Sequence, residues 1–309
     1  MNRKVLRLVT RQSPLALWQS NWVKHALEAA VEGLSIELIK VVTDGDRWLE
    51  SPLYKLGGKS LFVKALEEKL LNGEADFAVH SLKDMPAELP SGLTIGAVCE
   101  RSDPSDCFIS PQYSALEELP AGAVVGTSSL RRQSQLLKHF PDLVVKPLRG
   151  NVGTRLQKCQ SGEFDAIILA TAGLKRLDLM DVSNAKPLSV QQFIPAPGQG
   201  ALTVECRTAD KQMLSYLKLI HHRVTAQCVA AERAMNATLG GGCHVPIAGH
   251  ATVIEDKLHL VGLVGALDGK KMISSSATHS IKHPEVLGKT VAQALLAQGA
   301  RRLMDEAEV

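Results

Sequence analysis

The chain has 309 residues, 45% hydrophobic and 22% charged, the balance of a globular protein with material for two or three domains. A net charge of +3 is too small to argue by itself for nucleic acid or an anionic membrane. No apolar run approaches bilayer length and Arg7 interrupts the first one, so neither a membrane span nor a signal peptide is expected. The six cysteines contain no C-x-x-C pair, which argues against structural zinc and a disulfide framework and for a cytoplasmic protein.

In chain order, residues 5–10 read as a buried strand. Ser13-Pro14 opens a helix, serine as N-cap and proline in the first turn. Leu15, Trp18, Trp22 and Leu27 follow at roughly helical spacing and are expected to form its core face. Residues 36–42 are the next strand, so the chain opens as a βαβ unit with a parallel sheet. Residues 43–58 are polar and weakly patterned, as lids and binding loops are. Asp44, Asp46 and Lys55 read there as solvated loop charges, and Lys59 as a candidate anion contact. Gly58-Lys59-Ser60 resembles the end of a phosphate-binding loop, but Leu53 stands where that motif needs its first glycine, which excludes a nucleotide site.

Residues 60–71 are helical, and Gly73-Glu74-Ala75-Asp76 leads into a strand over 77–80. Ser81-Leu82-Lys83-Asp84-Met85-Pro86 lies just past its carboxyl end, where open α/β sheets hold ligands. After a polar connector near residues 100–104 the pattern restarts, with strands at 123–125, 143–147 and 166–170 and a helix over 130–140. Gly162-Glu163-Phe164-Asp165 repeats the Gly-Glu-x-Asp step of the first half in the same place, which predicts two α/β domains of like topology. Residues 201–206 read as a strand crossing back to the first domain, with a cleft between the two. Beyond residue 223 the reading is a helix over 226–237, then the loop Gly240-Gly241-Gly242-Cys243. Three strands (247–253, 259–264, 272–277) follow, the last pair joined at Asp268-Gly269, and then a final helix over 284–307. The expected domains are 1–99 with 200–218, 104–195, and a small α+β domain over 223–309.

The arginines gather where strands pass into helices. Arg11 follows the first strand, Arg131 and Arg132 enter the first turn of a helix, and Arg149 and Arg155 flank a third strand-to-helix loop. Lys175-Arg176 follows Ala170-Thr171-Ala172-Gly173 in what reads as the same arrangement. Ser13, Thr127, Ser128, Ser129 and Thr154 add hydroxyls at the same edges. Free N–H groups at a helix start already favour anions, and guanidinium suits carboxylate or phosphate. One such arginine reads as an exposed charge; the set implies a ligand with several negative charges. Polyphosphate lacks its loop, and 4% aromatic content is low for base stacking, so polycarboxylate leads. Two residues keep two readings each. Cys243 is either a small buried turn residue or a thiol on a glycine arm that holds something covalently. Asp84 is either a turn former before Met85-Pro86 or a carboxylate that accepts a ligand N–H and stabilises positive charge.

Five blocks carry a resemblance over essentially the whole length. They are Thr10-Arg11-Gln12-Ser13-Pro14-Leu15-Ala16, His80-Ser81-Leu82-Lys83-Asp84-Met85-Pro86, Gly126-Thr127-Ser128-Ser129-Leu130-Arg131-Arg132, Arg149-Gly150-Asn151-Val152-Gly153-Thr154-Arg155 and Gly240-Gly241-Gly242-Cys243. Together they resemble the hydroxymethylbilane synthase, or porphobilinogen deaminase, family. The resemblance implies two periplasmic-binding-protein-like α/β domains with a cleft, plus a small α+β C-terminal domain. It implies a dipyrromethane cofactor joined by thioether to Cys243, and Asp84 as the catalytic carboxylate. Lys83, Thr127, Ser128, Ser129, Arg131, Arg132 and Gly150 would hold the cofactor. Arg11, Ser13, Lys59, Arg149, Arg155 and Arg176 would meet substrate. The implied reaction joins four porphobilinogen molecules head to tail with loss of ammonia, then releases the linear tetrapyrrole with water. Each pyrrole carries an acetate and a propionate, which accounts for the arginines. The implied enzyme is a cytoplasmic monomer without nucleic-acid or membrane partners. The competing expectation is a polycarboxylate-binding solute or effector protein of the same two-domain form, which gives Cys243 no role.

Overall fold

The computed structural model describes residues 4–42, 60–181, 183–242 and 245–308, and the chain divides into two compact units. The first comprises Met1–Ser102 and Ala201–Ala226, the second Asp103–Gly200 and Gln227–Val309. The first unit begins β1 (Lys4–Arg11), α1 (Pro14–Ala30), β2 (Leu34–Val41), α2 (Ser60–Leu71), β3 (Phe77–Ser81), a 3-10 turn (Leu82–Asp84) and β4 (Leu93–Val98). The second begins β5 (Asp106–Ile109), β6 (Val124–Gly126), α3 (Leu130–His139), β7 (Val144–Lys146), α4 (Val152–Gln160), β8 (Ala166–Ala170), α5 (Thr171–Arg176) and β9 (Lys186–Pro187). The chain then returns to the first unit for β10 (Leu202–Arg207) and α6 (Lys211–Leu217), and α7 (Arg223–Leu239) leads back to the second. It ends with β11 (Ile247–Ile254), β12 (Lys257–Gly265), β13 (Met272–Ser280), α8 (Pro284–Ala297) and α9 (Ala300–Glu308).

Both five-stranded sheets have one topology. The first runs β2-β1-β3-β10-β4 and the second β7-β6-β8-β5-β9. In each, the first three strands are mutually parallel and the fourth is antiparallel to both its neighbours. In each, too, the fourth strand comes from the far side of a chain crossing: β10 reaches the first sheet from after the second, and β5 enters the second before its own first strand. The Gly-Glu-x-Asp repeat has a physical role that recurs. Asp76 accepts the Arg7 backbone N–H at 2.7 Å while its own N–H donates to the Arg7 carbonyl at 2.8 Å. Asp165 does the same with Val124, at 2.7 and 2.9 Å. Each carboxylate thus satisfies a backbone donor of the middle one of the sheet's three parallel strands.

The first sheet is packed on both faces. Leu8, Phe77, Val79, Leu202 and Val204 meet Val23 and Leu27 of α1 and Met213 and Leu217 of α6, while Val9 and Ala78 meet Leu66 and Leu70 of α2. The second sheet packs Ile167 and Leu169 against Leu156 of α4, and Val125 and Ile168 against Leu136 of α3. The antiparallel sheet β11-β12-β13 buries Leu258, Leu260 and Val264 under Met235 of α7, Val291 and Leu295 of α8 and Leu303 of α9. Its β12–β13 turn lies on α3: Gln133 Nε2 donates to the Leu267 carbonyl at 3.2 Å, and a Cβ on Gly269 would sit 2.3 Å from the Leu137 backbone. Buried Glu232 of α7 accepts the N–H groups of Gly198, at 2.7 Å, and Ala251, at 2.8 Å, which ties the return crossing to β11.

Two expectations are corrected. Trp18 and Trp22 do not face the core. The buried residues of α1 are Gln19, Ser20, Val23 and Leu27, one position onward, and the tryptophans are 37% and 40% exposed. One residue along a helix turns a side chain by about 100°, enough to move it off the buried stripe. The final helix is two, α8 and α9, separated at Gly299, whose φ of 94° is closed to a continuing helix. Residues 100–104 are a connector, as expected; the strands on either side of it, β4 and β5, were not among the expected elements.

Candidate active site

In the first unit, β1 and β3 are parallel neighbours, so the residues after their carboxyl ends lie on one edge of the sheet. Arg11 closes β1. Ser13 caps α1 by accepting the Ala16 N–H at 3.4 Å, which leaves its own O–H to donate. Lys83 and Asp84 occupy the 3-10 turn after β3, half-buried, and Met85 anchors that turn from below at 4% exposure. Buried Gln19 of α1 donates to Ser81 Oγ at 2.8 Å, fixing the strand end from which the turn starts. Arg11, Ser13, Lys83 and Asp84 are therefore brought to one sheet edge.

In the second unit the order β7-β6-β8 puts three parallel carboxyl ends side by side. The loop after β6 delivers Thr127, Ser128 and Ser129. Ser128 Oγ donates to the Leu148 carbonyl at 2.8 Å and accepts the Leu148 N–H at 3.0 Å, joining this loop to the one after β7. Ser129 caps α3 and Thr127 Oγ1 accepts the Ser129 N–H at 3.2 Å. The loop after β7 turns at Gly150, whose φ is 110° and where a Cβ would meet Thr154 at 2.8 Å. Asn151 caps α4, and Arg155 Nε donates to the Gly150 carbonyl at 2.8 Å. Burial lowers the pKa of the Arg149 guanidinium, a cost that an anion beside it would offset.

Arg131 and Arg132 are 4% and 6% exposed and converge on Asp106, the first residue of β5. Arg131 donates to both Asp106 oxygens, at 2.7 and 3.1 Å, and Arg132 donates to Oδ1 through Nε at 3.0 Å and Nη2 at 2.8 Å. Burial alone would raise the Asp106 pKa, but the two guanidinium charges hold it well below the usual carboxylate range. Gln199 Nε2 also donates to Asp106, at 2.9 Å, and to the Pro104 carbonyl at 2.7 Å. Asp106 was not singled out in the sequence; the available signal was that two adjacent arginines in a buried first turn need an anion.

Lys175 and Arg176 do not stand at a helix N-terminus, as the sequence reading had it. Helix α5 begins at Thr171, so both lie in its last turn, where the helix dipole favours cations. Arg176 Nη2 donates to the Gly200 carbonyl at 2.7 Å. Lys59, Asp44, Asp46, Lys55 and Cys243 lie outside the described residues. The other five cysteines are all buried, and burial pushes the thiols of Cys107, Cys159 and Cys206 up to about 11. No helix among the described residues is long and apolar enough to cross a membrane, and no cluster of metal-binding side chains occurs among them.

Cationic and hydroxyl-bearing side chains stand at the carboxyl ends of parallel strands in each of two like sheets, and the fold is of the α/β class. Two family models match the chain: "Porphobilinogen deaminase, dipyromethane cofactor binding domain" over residues 6–215 and "Porphobilinogen deaminase, C-terminal domain" over residues 226–297. The chain belongs to the porphobilinogen deaminase family. It is accordingly a transferase of porphyrin biosynthesis that polymerises porphobilinogen to a linear tetrapyrrole on a dipyrromethane cofactor, and the solute-binding alternative is not favoured. Among solved structures it is similar to the periplasmic VFT2 domain of BvgS from Bordetella pertussis, at 15% identity and TM-score 0.43, covering 71% of this chain and 87% of that one. It is also similar to a putative methionine-binding lipoprotein from Bacillus subtilis, at 13% identity and TM-score 0.44, covering 73% and 93%. A lipoprotein of the YaeC family from Enterococcus faecalis gives 16% identity and TM-score 0.44, covering 72% and 94%.

Proposed function

We propose that Asp84 is the catalytic carboxylate of this reaction and that Cys243 is the attachment point of the dipyrromethane. Lys83, Thr127, Ser128, Ser129, Arg131, Arg132 and Gly150 hold that cofactor, while Arg11, Ser13, Lys59, Arg149, Arg155 and Arg176 meet porphobilinogen and the growing chain. The observation that supports the reading is that the loops after β6 and β7, joined through Ser128 and Leu148, bring the hydroxyls of Thr127 and Ser129 and the cations Arg149 and Arg155 to neighbouring carboxyl ends of one sheet.

The donor set fits the cofactor's chemistry. Arg131 Nε is buried without a partner, a donor left over after Asp106 is satisfied. A carboxylate-rich group is what such a set of donors suits. When bound, the dipyrromethane supplies the pyrrole carbon to which substrate is joined. The thiol that holds it must reach the thiolate form. Burial keeps Cys107, Cys159 and Cys206 from that form near neutrality, which supports Cys243 in the role.

The Asp84 carboxylate accepts a hydrogen bond from a substrate pyrrole N–H and stabilises the positive charge that develops as ammonia leaves. The arginines orient the acetate and propionate groups and balance their charge. The reading includes three domains (1–99 with 200–218, 104–195 and 223–309) and a cytoplasmic monomer without nucleic-acid or membrane partners. Sedimentation of the purified protein tests the monomer. The decisive experiment on Asp84 compares turnover and intact mass of Asp84→Asn and Asp84→Glu. Glu keeps the charge and retains some turnover, whereas Asn loses roughly 10²–10³-fold, by analogy with removal of one transition-state donor. Asp84→Asn with the turnover of the unaltered enzyme would return Asp84 to a turn residue.

A further inference from the structure

Helix α5 has only six residues, and its N-cap position is Ala170, which offers no side-chain acceptor. A helix of that length does not hold its shape alone, so its neighbours must fix it. Thr171, Ala172, Gly173 and Leu174 are buried, while Lys175 is exposed and Arg176 half-buried. The register of β5 on β8 supplies the fixing. Asp106 pairs antiparallel with Ala170, so the residues before β5 run beside the residues after β8. The Thr171 N–H donates to the Ser105 carbonyl at 3.1 Å, in place of the missing side-chain cap.

The Asp103 carboxylate holds both ends of this helix. Its Oδ1 accepts the Ser105 N–H at 3.0 Å and the Ser105 O–H at 2.6 Å. Ser105 Oγ, its own proton committed there, accepts the Thr171 O–H at 2.7 Å; the two residues are 4% and 0% exposed. The other oxygen, Oδ2, accepts Lys175 Nζ at 2.8 Å, in the last turn. The Lys175 and Asp103 side chains are 48% and 24% exposed, so as an ion pair alone they contribute little. Geometry counts for more, because Ser105 already holds the carboxylate that Lys175 meets. Arg176 is the last residue of α5, and its Nη2 donates to the Gly200 carbonyl at 2.7 Å. That acceptor follows Gln199, whose Nε2 donates to the carbonyls of Pro104, at 2.7 Å, and Ser105, at 3.2 Å. Residues 103–105 therefore fix both the helix that carries Arg176 and the backbone that receives it.

We propose that Asp103 is a positioning residue for the transferase reaction. With Ser105 it holds α5 at both ends and so sets where the Arg176 guanidinium meets the carboxylates of porphobilinogen and the growing chain. Without that carboxylate the last turn of so short a helix frays, and Arg176 is spread over positions that miss its partner. Binding weakens, while the chemical step at Asp84, in the first unit, keeps its rate. The inference rests on Arg176 meeting substrate.

The test uses cofactor-loaded enzyme, checked by intact mass, and measures kcat and KM for porphobilinogen. Asp103→Ala is expected to raise KM about tenfold with kcat within about twofold, the mark of an interaction made equally in ground state and transition state. Lys175→Met opens only the last-turn contact and raises KM about threefold, and Lys175→Arg restores it. Arg176→Leu raises KM further than Asp103→Ala, since it removes the binding group itself. The deciding measurement is Asp103→Ala in the Arg176→Leu background. A positioning residue acts only through the residue it positions, so there the added substitution changes KM by less than about twofold. A KM for Asp103→Ala equal to that of the unaltered enzyme overturns the proposal. So does the same rise persisting in the Arg176→Leu background, which would make Asp103 a structural residue. Where Asp103→Ala does not fold, Lys175→Met, made at an exposed side chain, takes its place in both backgrounds. If Arg176→Leu binds and elongates normally, the substrate reading of Arg176 fails and the proposal with it. If Arg176→Leu is impaired while Asp103→Ala is not, only the positioning proposal fails.

Discussion

Asp106 and Arg131 meet through two parallel hydrogen bonds, Nη1 to Oδ2 at 2.7 Å and Nη2 to Oδ1 at 3.1 Å, in a place where the acid has no exposure to solvent. Arg132 is on the same carboxylate, so one buried anion is shared by two guanidiniums. Removing that anion would leave both buried guanidiniums without it.

That relationship makes Asp106 a stability determinant with a definite pH signature. Asp106→Asn leaves two buried guanidiniums without their counterion and is expected to destabilise the protein by about 3–5 kcal/mol in urea unfolding at neutral pH. The folded-state pKa is depressed, so the contribution is fully present above the ordinary aspartate range near about pH 4 and drains away as pH falls toward the folded value. The gap between variant and unaltered protein should therefore narrow below about pH 4; a constant gap across that range would show the carboxylate charge to be unimportant.

Cys243→Ser is expected to give protein at the mass of its sequence alone, without activity, because serine oxygen does not reach the nucleophilic form a thiol does. Single replacement of Cys99, Cys107, Cys159, Cys206 or Cys228 by Ala should leave the extra mass of the dipyrrole in place. Some of these variants will melt earlier, since all five are buried. A second cysteine whose loss removes the extra mass would contradict the assignment.

Replacing Arg149 or Arg155 by Leu should leave cofactor loading intact and stall chain growth, seen as a ladder of enzyme masses separated by single pyrrole additions. Where a guanidinium holds a carboxylate that stays buried, its loss costs on the order of 2–5 kcal/mol. Arg132→Leu should instead reduce loading. Normal elongation by both Arg149→Leu and Arg155→Leu would contradict the division of labour.

Gly150→Ala tests the loop after β7 through its backbone. The φ of 110° is hostile to a side chain, and the new Cβ would lie 2.8 Å from Cβ and Cγ2 of Thr154. A cost of about 1–3 kcal/mol is expected. The carbonyl of this residue holds Arg155, so slower elongation should accompany the lower melting temperature. A variant as stable as the parent would mean that the loop takes up another conformation freely.

Local chemistry made part of this legible in the sequence. Ser13-Pro14, Ser129 and Asn151 act as helix starts because capping is decided within three residues, and the caps are in place. The Gly-Glu-x-Asp repeat was legible as a pattern, and Asp76 and Asp165 give it its meaning. The strand exchange was only half legible: β10 followed a Pro-Gly junction, but β5, four residues long and buried throughout, has no alternation and no turn signal to reveal it. The site was legible where side chains announce charge, as at Arg149 and Lys83. It was not legible where the partner is distant in sequence, as Asp106 is from Arg131 and Asp103 from Lys175. The exposed Trp18 and Trp22 show the limit of spacing as a guide, since two neighbouring stripes of one helix fit the same period.

The exchanged strands also set an order of assembly on the ribosome. Among the described residues β4 pairs only with β10, and β10 stands between β3 and β4. While residues 99–201 are being made, the first sheet has a gap at its fourth position, with one face of β3 open and β4 unattached. The second sheet has its inserted strand, β5, from the outset and can close once β9 emerges. The sheet that begins first is thus completed second. Its nascent form presents an unpaired strand edge for about 100 residues of translation, or several seconds at ordinary elongation rates.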